Sequence, residues 1–272
     1  MELKGKHVII TGGSSGIGKA TAKLLCSKGA DVSIIARSSF KLEEAKKEIE
    51  TAKNSSQQRI FSVAADVSNY QQIEEAIENC IDKIKTPDIL VTSAGIANPG
   101  YFDELSNEIF ENSMSVNYFG SLYTIKAVLP SMKKEKNGQI ILVSSGAGLI
   151  GIYGYTSYSP SKFALRGLAE SLRGELKIAG IQVSIVYPPD TDTPMLKAEN
   201  KIKPPEMKMI TSTAKVLKAE AIAEEIYKGI LKKYFLITPG FEIAILCRFH
   251  SFLLPLLNWY CDRIVNKFKV RN

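Results

Sequence analysis

Six short runs rich in Val and Ile, at residues 7–11, 32–36, 60–64, 89–92, 139–144 and 182–187, constrain this chain more than any other feature. Each is nearly continuous in apolar character, as expected of strands covered on both faces rather than one. Longer segments of helical period lie between them, at 16–28, 39–52, 71–84, 107–132 and 157–179. Within 41–49, for instance, Leu42, Ala45 and Ile49 recur on one face among Lys and Glu. Regular alternation of this kind predicts right-handed βαβ units and a doubly wound parallel sheet of the α/β class. Ligands of such sheets bind beyond the carboxyl ends of the strands, so chemistry is to be sought just after each run. The length of 272 residues, with 45% apolar and 23% charged, suits one large domain with a modest extension. We expect a Rossmann-type domain over 1–238 and a hydrophobic, basic extension over 239–272.

The first run is followed by Thr11-Gly12-Gly13-Ser14-Ser15-Gly16-Ile17-Gly18, and a helix opens at once. Glycines there permit a tight turn and let backbone N–H groups approach an anion, and the helix N-terminus adds partial positive charge. Placed after the first strand, the turn reads as a dinucleotide cradle formed by Gly12, Ser14, Ser15, Gly16, Ile17 and Gly18. The same residues satisfy the G-x-S-x-G elbow of serine hydrolases, which needs a downstream histidine base. The two histidines are His7, which precedes the serine, and His250, in an apolar tail, so the hydrolase reading is rejected. At the end of the second run stands Arg37, where an acid would accept hydrogen bonds from a ribose. Its guanidinium fork suits a 2′-phosphate, and Lys41 lies one helical turn on, so NADPH is the expected cofactor. A surface role for Arg37 stays open.

Tyr158 and Lys162 stand at i and i+4 on one helix face, and Ser145 ends the preceding strand. With Thr11–Gly18, Asp66-Val67 and Asn117, these residues resemble the short-chain dehydrogenase/reductase family over roughly residues 4–187. The resemblance implies that Tyr158 protonates a carbonyl oxygen while hydride arrives from nicotinamide. It further implies that Ser145 polarises that carbonyl, that Lys162 holds the nicotinamide ribose and lowers the tyrosine pKa, and that Asn117 positions a proton-relaying water. A phenol titrates near ~10, and lowering it by about three units asks roughly 4 kcal/mol, which one close cation in a dry site can supply. Asp66 resembles the family's adenine-contacting acid, with a helix cap as the open alternative. Val67, Ala94, Gly95, Pro188 and Thr191 complete the expected cofactor contacts.

Two departures from the family pattern stand out. Asn-Asn-Ala-Gly is replaced by Thr92-Ser93-Ala94-Gly95, and Pro-Gly by Pro188-Pro189, which stiffens the loop over the nicotinamide. Ser144 beside Ser145 leaves open which hydroxyl reacts. Peptides around residues 36–50, 161–170 and 187–194 are similar to the 3-ketodihydrosphingosine reductase branch, which implies a sphingoid ketone as substrate. Such a ketone carries an ammonium, for which Asp190 and Asp192 are candidate partners; Asx-type turns are the alternative. Other lipid carbonyls, or a non-catalytic nucleotide-binding scaffold, remain as further readings.

The net charge of +7 is concentrated from Lys228 onward, where eight basic residues face two acids. Residues 241–260 are dense in Ile, Leu, Phe and Trp, but Glu242, Arg248, His250 and Pro255 interrupt a clean span of about 20. An interfacial helix or hairpin fits, with Trp259 and Tyr260 at headgroup depth; packing on the core or on a partner subunit is the alternative. The expected setting is a membrane surface facing the cytosol, that of the endoplasmic reticulum in a eukaryote, without a secretory signal. No nucleic-acid partner is expected, because the basic tail lacks an interleaved stacking platform, and a homo-oligomer is left open. Four cysteines without C-x-x-C spacing or nearby histidines predict free thiols and no metal site.

Overall fold

The computed structural model describes residues 3–212 and 215–269; Arg271, counted among the basic residues of the tail, lies outside them. Seven strands form one wholly parallel sheet: β1 (His7–Thr11), β2 (Asp31–Ala36), β3 (Ile60–Ala64), β4 (Ile89–Thr92), β5 (Gly138–Val143), β6 (Ile181–Val186) and β9 (Leu236–Ile237). Their spatial order is β3-β2-β1-β4-β5-β6-β9. The order reverses between β1 and β4, which opens a crevice at the carboxyl ends of those two strands. Strands β7 (Thr191–Asp192) and β8 (Leu217–Lys218) pair as a separate small ribbon.

Burial explains why the sequence runs are apolar throughout. Along β1, Ile9 enters the core on one face while Val8 and Ile10 enter the core on the other. The same alternation holds for Leu90 against Ile89 and Val91, and for Ile140 against Ile141. Two-sided cover is what a parallel sheet demands. One cover is made by α3 (Tyr70–Lys83), α5 (Gly120–Glu135) and α6 (Tyr158–Lys177), which bury Ile77, Val128 and Leu165. The other is made by α1 (Gly16–Ser27), α2 (Ser39–Glu50) and α9 (Ala219–Lys232), through Leu25, Leu42 and Ile226. His7 belongs to this scaffold. Its ring meets Lys85 O at 2.6 Å and Ser33 Oγ at 2.8 Å, and burial lowers its pKa to about 4.

The segment expected as one helix over 107–132 is interrupted. Helix α4 (Asn107–Met114) passes into a wider π turn, Ser115–Phe119, before α5 begins, and Gly120 N–H donates to Ser115 O five residues back. The extra residue per turn swings Asn117 inward, where it is fully buried; such bulges are frequent at functional sites. After β6 the chain adds α7 (Pro194–Ile202) and α8 (Pro205–Thr211), and it ends in α10 (Phe241–Lys269).

Helix α10 is kinked at Phe249, whose backbone (φ −125°, ψ 15°) is not helical. The tail is therefore two helical arms joined at a kink rather than one straight helix. Ile243 and Ile264 are buried against the body of the protein, whereas Phe241, Phe252, Leu256 and Trp259 are exposed. Among the described residues it is the one helix long and apolar enough to cross a membrane.

Candidate active site

The glycine turn is built by close backbone packing. Gly12 has φ +69°, and a Cβ there would lie 2.7 Å from Ala94 N, across the crevice between β1 and β4. A Cβ on Gly18 would stand 2.4 Å from Gly12 O, so only glycine lets the first turn of α1 fold back over the loop. Ser15 caps α1 in extended conformation without a side-chain hydrogen bond. The first N–H groups of this 12-residue helix thus lack a side-chain cap at the crevice floor.

A single cleft of about 910 Å³ runs from this turn across the sheet to α10. Gly12, Ser14, Ser15, Ile17 and Gly18 line one end, with Arg37, Lys41 and Val67 around the pocket next to them. Ala94, Gly95, Pro188 and Thr191 line the middle, where Ser145, Tyr158 and Lys162 also converge. Three expected residues stand apart from the cleft lining. Gly16 keeps a left-handed backbone (φ +51°) and faces the Thr193 side chain. Asp66 Oδ1 accepts from Ser68 N (2.9 Å) and Ser68 Oγ (2.8 Å), an Asx turn; the cap of α3 is Asn69 instead. Asn117 lies behind the wall: its Oδ1 accepts from Ile96 N at 2.9 Å, and its Nδ2 donates to Ile96 O at 3.0 Å and Ser161 Oγ at 2.9 Å. A Cβ on Gly95 would be 3.2 Å from Asn117 Oδ1 and 3.5 Å from Lys162 Nζ, so this glycine lets the amide and the amine approach one another.

The two adjacent serines divide the work. Ser144 Oγ donates to Lys162 O at 3.0 Å and is buried, so it ties β5 to α6. Ser145 Oγ accepts from Ala147 N at 3.2 Å, and Ser145 lowers the pKa of the Tyr158 phenol against which it stands. Ser145 is therefore the hydroxyl that faces the cleft chemistry.

Electrostatics at the pair follow from burial. Burial pushes the Tyr158 phenol well above its ordinary pKa; the Ser145 hydroxyl opposes this, and the carboxylates of Glu199 and Asp190 add to it. Burial also lowers Lys162 to about 8. Its Nζ donates to Val143 O at 3.1 Å and lies 5.6 Å from the Tyr158 ring centroid. The expected downward pull of Lys162 is not among the influences on the phenol, where desolvation dominates. A lysine poised near neutrality nevertheless suits an amine that exchanges protons.

Sequence reasoning missed a second group on the same wall. Thr193 accepts from Leu196 N at 3.3 Å, and Pro194 occupies the first turn of α7. On the face of α7 that continues from Leu196 stands Glu199, and Lys203 follows just beyond the helix end; both are buried. The Tyr155 hydroxyl donates to Glu199 Oε2, and Lys203 Nζ is 3.8 Å from Asp190 Oδ2. Burial raises the pKa of both Tyr155 and Glu199. The legible signal was Thr-Pro opening a helix, followed by an acid on its apolar face and a lysine just past its end. Asp192, by contrast, is turned outward and pairs with Lys197 at 3.1 Å.

The donors fit a dinucleotide: a glycine turn at a helix N-terminus, two cations beside it, and a hydroxyl-phenol-amine set at the far end of one cleft. The chain belongs to the short-chain dehydrogenase family, whose family model, described as "short chain dehydrogenase", matches residues 6–204. The protein is accordingly an oxidoreductase acting on a ketone or alcohol with a nicotinamide cofactor. The chain is 44% identical over 236 residues to 3-ketodihydrosphingosine reductase of Bos taurus, covering 86% of this chain and 71% of the relative. Identity and coverage are the same for 3-dehydrosphinganine reductase of Danio rerio. In fold it is similar to levodione reductase, with a TM-score of 0.81 at 24% identity, covering 89% of this chain and 99% of that one. A short-chain dehydrogenase from Mycobacterium paratuberculosis bound to NAD gives 0.75 at 26% identity, covering 84% of this chain and 91% of that one.

Proposed function

We propose that this protein reduces 3-dehydrosphinganine to sphinganine with NADPH, working at a membrane surface. The observation that carries the reading is the continuity of the cleft. It leads from Tyr158 into apolar walls formed by Leu246, Leu253, Leu254 and Leu257 of α10, beside Met195 and Leu196 of α7. An alkyl chain attached to the reacting ketone finds there the apolar surface it needs, while the ketone sits at the hydroxyl groups. Arg37 and Lys41 line the end that would hold the adenosine, and their paired positive charge favours a 2′-phosphate over a bare ribose.

A bound reduced nicotinamide supplies the hydride. Tyr158 gives its proton to the carbonyl oxygen, and Ser145 donates a hydrogen bond to that oxygen as negative charge develops. Lys162 returns a proton to Tyr158 after turnover, and Asn117, clamped to Ile96 and Ser161, keeps the wall behind Lys162 in place. The carbonyl becomes a secondary alcohol, with one proton and one hydride consumed.

The membrane-associating extension, residues 239–272, contains helix α10 and follows a reductase domain of residues 1–238. Its exposed Phe252, Leu256 and Trp259 present apolar surface, and Arg263 sits 5.5 Å over the Trp259 ring. An amphipathic segment of this kind lies in the headgroup region and meets a substrate that resides there. In a eukaryotic cell that surface is the cytosolic face of the endoplasmic reticulum. The test is NADPH oxidation by purified protein on 3-dehydrosphinganine in mixed micelles, with sphinganine identified by mass. Turnover on this ketone well above that on steroid or retinoid carbonyls is expected. Equal or greater activity on those carbonyls would refute the reading.

A further inference from the structure

The cleft wall beside Tyr158 holds a buried carboxylate without an ion pair among the described residues. Glu199 is 4% exposed and Asp190 is half-buried, and both line the cleft; the ammonium beside them is Lys203, itself 4% exposed. Lys203 leans toward Asp190, at 3.8 Å, and lies 5.9 Å from the Tyr155 ring centroid. Glu199 Oε2 takes the Tyr155 hydroxyl, whereas Oε1 accepts no hydrogen bond among the described residues. The Tyr155 and Tyr158 rings are 5.1 Å apart, which puts this free carboxylate oxygen in the neighbourhood of the reacting phenol. Among the described residues Glu199 has no ion pair of its own, since Lys203 pairs with Asp190, and a carboxylate left so in a largely dry wall is costly until a cation reaches it.

We propose that Glu199, supported by Asp190, is the specificity-determining residue that receives the ammonium on the carbon next to the reacting ketone. The proposal rests on the reading of function above, since 3-dehydrosphinganine carries such an ammonium and steroid, retinoid or fatty aldehyde carbonyls do not. The incoming cation pairs with Glu199 and occupies Oε1. It also relieves the hold that Glu199 and Asp190 exert on the Tyr158 proton, because both carboxylates push that phenol upward. Selection of the amine and ease of proton donation are then served by one contact. Asp192 has no part in it, because it pairs with Lys197 outside the cleft.

The experiment compares 3-dehydrosphinganine with its des-amino analogue, using NADPH and full-length protein. Glu199→Gln keeps an acceptor for the Tyr155 hydroxyl but removes the charge. It is expected to raise KM for the amine-bearing ketone at least tenfold while leaving kcat/KM on the des-amino ketone within twofold or higher. Equal losses on both ketones, or no loss on the amine-bearing one, overturn the proposal. Should Glu199→Gln not fold, Asp190→Asn serves the same comparison, with a rise of threefold or more expected only for the amine-bearing ketone and an equal effect on both overturning it. A wild-type enzyme that reduces neither ketone refutes the assigned function; one that reduces both with equal KM removes this inference alone.

Discussion

Lys162→Met tests the buried amine without reference to turnover. Lys162 is 4% exposed, and burial moves its pKa from 10.5 to about 8. Each unit is worth about 1.4 kcal/mol, so a protonated Lys162 in the cofactor-free protein costs roughly 3 kcal/mol of stability. The sign follows from proton counts. Between pH 8 and 10.5 the unfolded chain holds this proton more tightly than the folded one, so the penalty is fully present below about 8 and fades toward 10.5. Methionine fills similar volume with no charge, but it forfeits the 3.1 Å hydrogen bond to Val143 O, worth about 1 kcal/mol. The variant should therefore be more stable than wild type by about 2 kcal/mol at pH 7, and that advantage should vanish by pH 10. Urea unfolding of both cofactor-free proteins, followed by circular dichroism across this range, gives the difference directly. A stability difference that does not change with pH would refute the buried, destabilised ammonium.

Three further outcomes follow from the cleft and the tail. Gly18→Ala would drive a methyl group to 2.4 Å from Gly12 O, so the loop must open; a loss of about 1–3 kcal/mol in stability and at least tenfold weaker NADPH binding are expected by calorimetry. Arg37→Ala should raise KM for NADPH on the order of tenfold or more, as for loss of a charge-assisted hydrogen bond, with KM for NADH little changed. Trp259 is the chain's single tryptophan and is 56% exposed, so its fluorescence should shift to the blue with anionic vesicles and shift less as salt is added.

Much of this fold was written in local pattern. β1 and β4 fall at the expected residues because both are buried along their whole length, and β3, half-exposed at the sheet edge, still carries an apolar run long enough to read. What escaped was short or set by tertiary contact. β9 has two residues, too few for any period, and it exists because β6 offers an edge. The π turn at Ser115–Phe119 is invisible to a helical period, since one added residue still reads as helix. Ser145, Tyr158 and Lys162 were legible as a group through the strand end, the i and i+4 spacing and the family resemblance, and they meet in one cleft. The wall of Glu199 and Lys203 was not legible, because its meaning depends on Tyr155 and Asp190 arriving from other loops. Asp66 shows the converse, an acid at the expected place whose Oδ1 is held by Ser68.

The central claim is that the phenol of Tyr158 delivers the proton as the ketone is reduced. Single-turnover reduction of 3-dehydrosphinganine by NADPH-loaded wild type and Tyr158→Phe tests it most directly. Removing the hydroxyl should slow the chemical step by at least a hundredfold, the lower range for a general acid, while NADPH affinity stays within a few fold. An unchanged rate in the phenylalanine variant would contradict the account.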